Sequence, residues 1–184
     1  ILFIMNIYFT DYFKDIDNAS HTANIEDFIL VSKLIRKTNK NGGKVMIVGN
    51  GGSAAIASHV SIDFTKAANI RAITFNDSSL ITCFSNDYGY EHWVEKAIEF
   101  YADHNDLVIL ISSSGMSKNI VNAACKAKNM GLPVVTLSGF SSDNQLRKCG
   151  DINLWVDSTK YNVVEIVHQT WILSIIDYLI EQDS

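Results

Sequence analysis

Short apolar runs of strand length alternate with longer stretches of helical periodicity along most of this chain. Over residues 18–39, Ile25, Phe28, Ile29, Leu34 and Ile35 recur near one face, which predicts a helix. Asn41, Gly42 and Gly43 form the turn that ends it. Residues 44–48 (KVMIV) are apolar and rich in β-branched side chains, the pattern of a buried strand. A glycine-rich turn at 49–53 follows, then a helix over 54–66 and a strand over 71–75. Helices are expected over 79–84 and 91–101, and a third strand over 107–111 (LVILI). Beyond the turn 112–115 come a helix over 119–130, a strand over 133–137, a short helix over 143–149, a strand over 152–156 and a last helix over 162–181.

Strand and helix alternate throughout, which predicts an α/β fold: a five-stranded parallel sheet flanked by helices, with long helices at both ends. There is one proline and no Ser/Gly-rich linker, so residues 1–184 read as a single domain. Residues 1–4 precede Met5 and are set aside from this reading. The last helix is apolar nearly all round, from Val163 through Trp171 to Ile180. Such a helix is buried, either under a second copy of the chain or between the sheet and the N-terminal helix of its own. We expect a homo-oligomer.

Composition narrows the classes. A chain of 184 residues with 47% hydrophobic and 19% charged residues is globular. The 15 basic and 20 acidic residues give a net charge of −5, which argues against a dedicated nucleic-acid binder. No apolar run reads as membrane-spanning. Cys83, Cys125 and Cys149 are odd in number and lack CxxC spacing, so a reducing, cytoplasmic setting without a disulfide framework is expected.

Two turns carry candidate chemistry. The first, Gly49-Asn50-Gly51-Gly52-Ser53, lies between a predicted strand and a predicted helix. Glycines let a ligand approach the backbone, and a helix start offers N–H groups and partial positive charge. A phosphate or a polyhydroxylated sugar suits it; the alternative is a tight turn with no ligand. There is no lysine for a P-loop. Gly49, Gly51 and Ala54 match a dinucleotide fingerprint, but its acidic partner, Asp77, comes later than that motif requires. The second turn, Ser112-Ser113-Ser114-Gly115-Met116-Ser117, also precedes a helix. Four serines match the several acceptor oxygens of a phosphate, whereas N-capping by Ser117 needs only one. Both turns follow strands of one parallel sheet, so they should face one crevice.

GNGGSA (49–54) with His59, SNDYGY (85–90) and ISSSGMS (111–117) resemble, in that order, the sugar isomerase (SIS) family. The likeness is greatest to its phosphoheptose isomerase branch and covers most of the chain. The resemblance implies a sugar-phosphate aldose–ketose isomerase acting on sedoheptulose 7-phosphate or a close relative in surface-polysaccharide biosynthesis, and a homotetramer with sites at subunit contacts. It implies substrate contacts from Asn50, Gly51, Gly52, Ser53, Asn86 and Asp87, and phosphate contacts from Ser112, Ser113, Ser114 and Ser117.

His59 and Asp63 stand four apart and share a helix face, as half of a metal site or as an acid–base pair. The resemblance implies zinc bound at the positions of His59, Asp63, Glu165 and Leu173, where relatives carry His, Glu, Gln and His. This chain departs at three of the four, and leucine neither ligates a metal nor moves a proton. His168 lies three residues beyond Glu165 on the same helix. Asp63, Glu165 and His168 are therefore the candidate proton-transfer groups, and His59, Asp63 and Glu165 the candidate metal ligands. Two functions remain: an isomerase with altered catalytic positions, or a SIS protein that binds a sugar phosphate without turnover, as regulator or adaptor.

Overall fold

The computed structural model describes residues 2–183. Its elements are α1 (Leu2–Ser20), α2 (Ile25–Lys40), β1 (Val45–Gly49), α3 (Gly52–Lys66), β2 (Ala72–Ile73), α4 (Ser78–Tyr88), α5 (Trp93–Tyr101), β3 (Leu107–Ser112), α6 (Lys118–Asn129), β4 (Val134–Ser138), β5 (Ile152–Trp155) and α7 (Tyr161–Asp183). The five strands are all parallel, in the order β2-β1-β3-β4-β5. This is the expected α/β architecture.

Side chains of successive strand residues point to opposite faces, and each face has its own core. Val45, Ile47, Ile109 and Ile111 pack with α2, α3 and α7. Met46, Val48, Val108 and Leu110 pack with α5 and α6. Strands β1, β3 and β4 are buried at every position, which is why they read as unbroken apolar runs. At the opposite end from the candidate site, two carboxylates hold strand starts together. Asp106 accepts from the Lys44 and Asp103 amides at 2.8 and 2.7 Å, and Asp151 accepts from the Val134 amide at 2.8 Å.

Four expectations are corrected. Residues 18–39 are not one helix: α1 ends at Ser20, and Asn24 caps α2 through a side-chain bond from the Glu26 amide. Residues 2–4, set aside above, belong to α1. The buried stripe of α2 is Val31, Ser32, Ile35 and Thr38, while Ile25 is 75% exposed. No helix forms over 143–149; that segment is a run of turns wrapped around the buried Asn144, whose Nδ2 donates to Ser138, Gly139 and Ser141.

The last helix also differs from expectation. Tyr161–Gln182 is, among the described residues, long and apolar enough to cross a membrane, contrary to the sequence reading. Half of it is buried within the fold, and α7 packs against α1, α2 and α3 of its own chain. On its remaining surface Ile166 and Tyr178 are each 41% exposed. Apolar surface is exposed on α1 and α2 as well, where Tyr8, Phe9, Phe13 and Ile25 are all more than half exposed.

Candidate functional site

The strand order reverses direction between β1 and β3, which lie side by side with Gly49 opposite Ile111. Open α/β sheets bind ligands at such a reversal, beyond the carboxyl ends of the strands. Both candidate turns leave the sheet there. They line one cavity of about 210 Å³, formed by Asn50–Ser53, Ile111–Ser114, Ser117, Tyr161 and Glu165.

The helix starts around this cavity are left open. Away from it, α2 and α4 are capped by the Asn24 and Asp77 side chains. By contrast α3 starts at Gly51, which offers no side chain, and Ser117 makes no cap bond at the start of α6. The Ser117 hydroxyl accepts instead from Ser112 Oγ at 3.1 Å. Capping therefore does not explain the serines. Two uncapped helix starts with hydroxyls between them make a place for an anion. Gly51 has φ 54 and ψ −121, a conformation open to glycine and strained for other residues. Asp77, the dinucleotide candidate, serves as the cap of α4, accepting from the Leu80 amide at 2.9 Å.

The two loops are bound to each other. The side-chain amides of Asn50 and Asn119 exchange two hydrogen bonds of 2.9 Å, and Tyr90 Oη donates to Asn50 Oδ1 at 3.2 Å. Asn119 is buried at the start of α6, so this pair fixes the glycine loop against the helix that begins at the serine loop. The serine loop is braced from its other side: Gly139 N donates to Ser113 O, and Leu146 N to Gly115 O, both at 2.9 Å.

Glu165 enters the cavity from α7. Its carboxylate lies against the backbone of Gly52, so close that a Cβ there would meet Oε2 at 2.2 Å. Its Oε1 is 3.5 Å from Ser113 Oγ. The other acid–base candidates lie elsewhere. Asp63 Oδ2 is 3.1 Å from His59 Nε2, and His59 Nδ1 meets Gln169 Nε2 at 2.8 Å. His168 is fully buried, with Nε2 donating to the Ser138 carbonyl at 3.1 Å. Burial drives its pKa down to about 4, with the Ser138 bond opposing, so the ring is neutral. It braces α7 against the end of β4 and does not line the cavity. Asn86 and Asp87 are exposed on the last turn of α4, bonded to each other at 2.9 Å and outside the cavity lining.

The zinc implied by the resemblance does not fit the residues of one chain. His59 is joined to Asp63 and to Gln169, Leu173 has no donor atom, and Glu165 faces Gly52 and Ser113. Among the described residues no three His, Cys, Asp or Glu side chains are grouped to hold a metal ion.

Four residues that matter here escaped the sequence reading. Tyr161 closes the cavity beside Phe140, with ring centroids 4.7 Å apart. Asn119, Tyr90 and Gln169 act through partners 40 to 110 residues away, and nothing local marks them.

A parallel sheet whose glycine-rich and serine-rich loops share one crevice defines a SIS domain, and the chain belongs to the SIS domain family, whose model matches residues 8–139. Within that family its relatives are phosphoheptose isomerases. It is 36% identical over 148 residues to the phosphoheptose isomerase of Campylobacter concisus, covering 77% of each chain. It is 36% identical over 155 residues to that of Aliarcobacter butzleri, covering 79% of this chain and 82% of the relative. The solved structure of a phosphoheptose isomerase from Francisella tularensis superposes with a TM-score of 0.87 at 27% identity, over 98% of both chains.

Proposed function

We propose that the chain is an aldose–ketose isomerase of a phosphorylated sugar, acting on sedoheptulose 7-phosphate in surface-polysaccharide biosynthesis. The single observation that carries this reading is the shared cavity, which two helix starts without side-chain caps, a serine cluster and the Glu165 carboxylate line together. Its phosphoheptose isomerase relatives favour turnover over the alternative of a silent sugar-phosphate binder.

The serine loop takes the phosphate, with hydroxyls and the α6 amides as donors. Phosphate binding far from the reacting carbons orients them. Glu165 is the proton-transfer group that the geometry favours over Asp63 and His168, because it alone of the three lines the cavity. It takes the proton from the carbon beside the carbonyl and returns it to the former carbonyl carbon, while the proton of the adjacent hydroxyl passes to the former carbonyl oxygen. The α3 start and the loop donors face the oxygen on which negative charge develops as the enediol forms. A positioned acid or base contributes roughly two to four powers of ten in rate.

The exposed aromatic and aliphatic residues of α1 and α2 support assembly into a homotetramer. One preparation tests both parts. Purified protein mixed with sedoheptulose 7-phosphate should form the aldose phosphate, and Glu165→Gln should lower kcat by roughly a hundredfold or more. Light scattering should give four chain masses. Turnover unaffected by Glu165→Gln would remove Glu165 from the reaction.

A further inference from the structure

Two thiols meet on the face of the sheet that α5 and α6 cover. Cys125 is on α6, and Cys149 ends the run of turns over 143–149. Val121, Cys125 and Lys128 follow one another at helical spacing along one side of α6. Lys128 Nζ reaches Asp151 Oδ1 at 3.0 Å, and Val121 and Cys149 pack against the same core. That side of α6 therefore faces the segment that ends in Cys149, and Cys125, midway along it, meets the Cys149 thiol. Cys125 is exposed, Cys149 is half-buried, and both are free. Burial first, then the neighbouring Cys125, push the Cys149 thiol up, and the Lys128 ammonium opposes them. Cys149 is thus protonated at neutral pH, with its Sγ donating to Gln145 O at 3.3 Å.

The segment that carries Cys149 supports the serine loop. Leu146 N donates to Gly115 O at 2.9 Å, and Asn144 lies so close to Gly115 that a Cβ there would collide with its side-chain amide. Helix α6 leaves the same loop at Ser117. A covalent bond between Cys125 and Cys149 joins these two supports to each other.

We propose that Cys125 and Cys149 form a modification site, at which a small-molecule disulfide converts the two thiols to an intramolecular disulfide that fastens the brace of the serine loop to α6. The thiolate of the exposed Cys125 attacks one sulfur of the small disulfide, RSSR. Its S–S bond breaks, one RS⁻ leaves, and Cys125 carries a mixed disulfide. Cys149 then gives up its proton and attacks the Cys125 sulfur, and the second RS⁻ leaves. Two cysteines are oxidised, RSSR is reduced to two RSH, and the protons lost by the cysteines pass to the leaving thiolates. Excess thiol reverses the step. Cys83 is exposed on α4, beside Asp87 at 3.8 Å and not beside Cys149, so a mixed disulfide formed there stays.

The test incubates the reduced chain with oxidised glutathione and reads its mass. Wild type should end with one glutathione adduct, at Cys83, and should lose two hydrogens. Cys149→Ser should carry two adducts, at Cys83 and Cys125. Cys83→Ser should lose two hydrogens and carry none. Hydrogen exchange at the Leu146 amide reads the brace directly, because that amide bonds the serine loop. It should slow roughly tenfold or more when Cys83→Ser is oxidised, and dithiothreitol should restore the original rate. Two adducts on wild type, or a Cys83→Ser protein that keeps both thiols, overturns the site. An internal disulfide that leaves Leu146 exchange unchanged overturns its link to the serine loop.

Discussion

Glu165 and Gly52 make the site at the scale of single residues. The lack of a side chain at position 52 is what admits the Glu165 carboxylate to the start of α3. An added Cβ would meet the movable end of Glu165 rather than backbone, so Gly52→Ala should fold normally and displace the carboxylate. A misplacement of about 1 Å can cost a hundredfold in rate, so we expect kcat to fall roughly tenfold to a hundredfold with an unchanged melting temperature. A kcat equal to wild type would show that Glu165 need not sit where it does. Sequence reasoning reached the serines and glycines of the site because helix starts and turns use those residues for reasons internal to a short segment. It ranked Asp63, Glu165 and His168 together, because spacing along a helix says which residues share a face and not what that face meets. His59 reaches Gln169 across 110 residues, a contact that no local pattern carries.

Among the elements, β1, β3 and β4 were legible because a parallel strand covered on both faces must be apolar at every position. The break between α1 and α2 was missed because apolar residues continue at helical spacing across it, while the Asn24 cap signals a start only weakly. The 143–149 segment has helical composition but is bent around Asn144, a tertiary requirement. Helix α7 read as buried because it is apolar nearly all round, and the structure packs about half of it, against α1, α2 and α3 of its own chain.

The buried His168 gives α7 a measurable property. Its pKa falls from 6.5 to about 4 in the fold, so below pH 6.5 the unfolded chain binds a proton that the folded chain refuses. Its contribution to stability is therefore intact above pH 6.5 and lost as pH falls from there toward 4. By pH 5 the loss is about 2 kcal/mol, before most carboxylates titrate. Urea unfolding at pH 7 and pH 5 should show this difference in wild type, and His168→Gln should flatten it. A slope unchanged in that variant would place the titration elsewhere.

At the scale of the whole molecule, one asymmetry of the sheet organises the protein. Carboxylates Asp106 and Asp151 tie the strands together at their amino ends, and the carboxyl ends of β1 and β3 carry the open loops. The carboxylate ties lie at one end of the sheet and the open loops at the other. The strand alternation made the fold readable from sequence, but only the order β2-β1-β3-β4-β5 places the reversal between the two loops. Exposed apolar residues of α1 and α2 lie on the helical layer that carries α7. A crystal structure with sedoheptulose 7-phosphate bound would settle whether the crevice is the site. The phosphate should lie within hydrogen-bond reach of the Ser112–Ser117 loop, with the carbonyl end of the sugar at Glu165. A phosphate bound away from that loop, with the crevice between β1 and β3 left to solvent, would overturn the assignment.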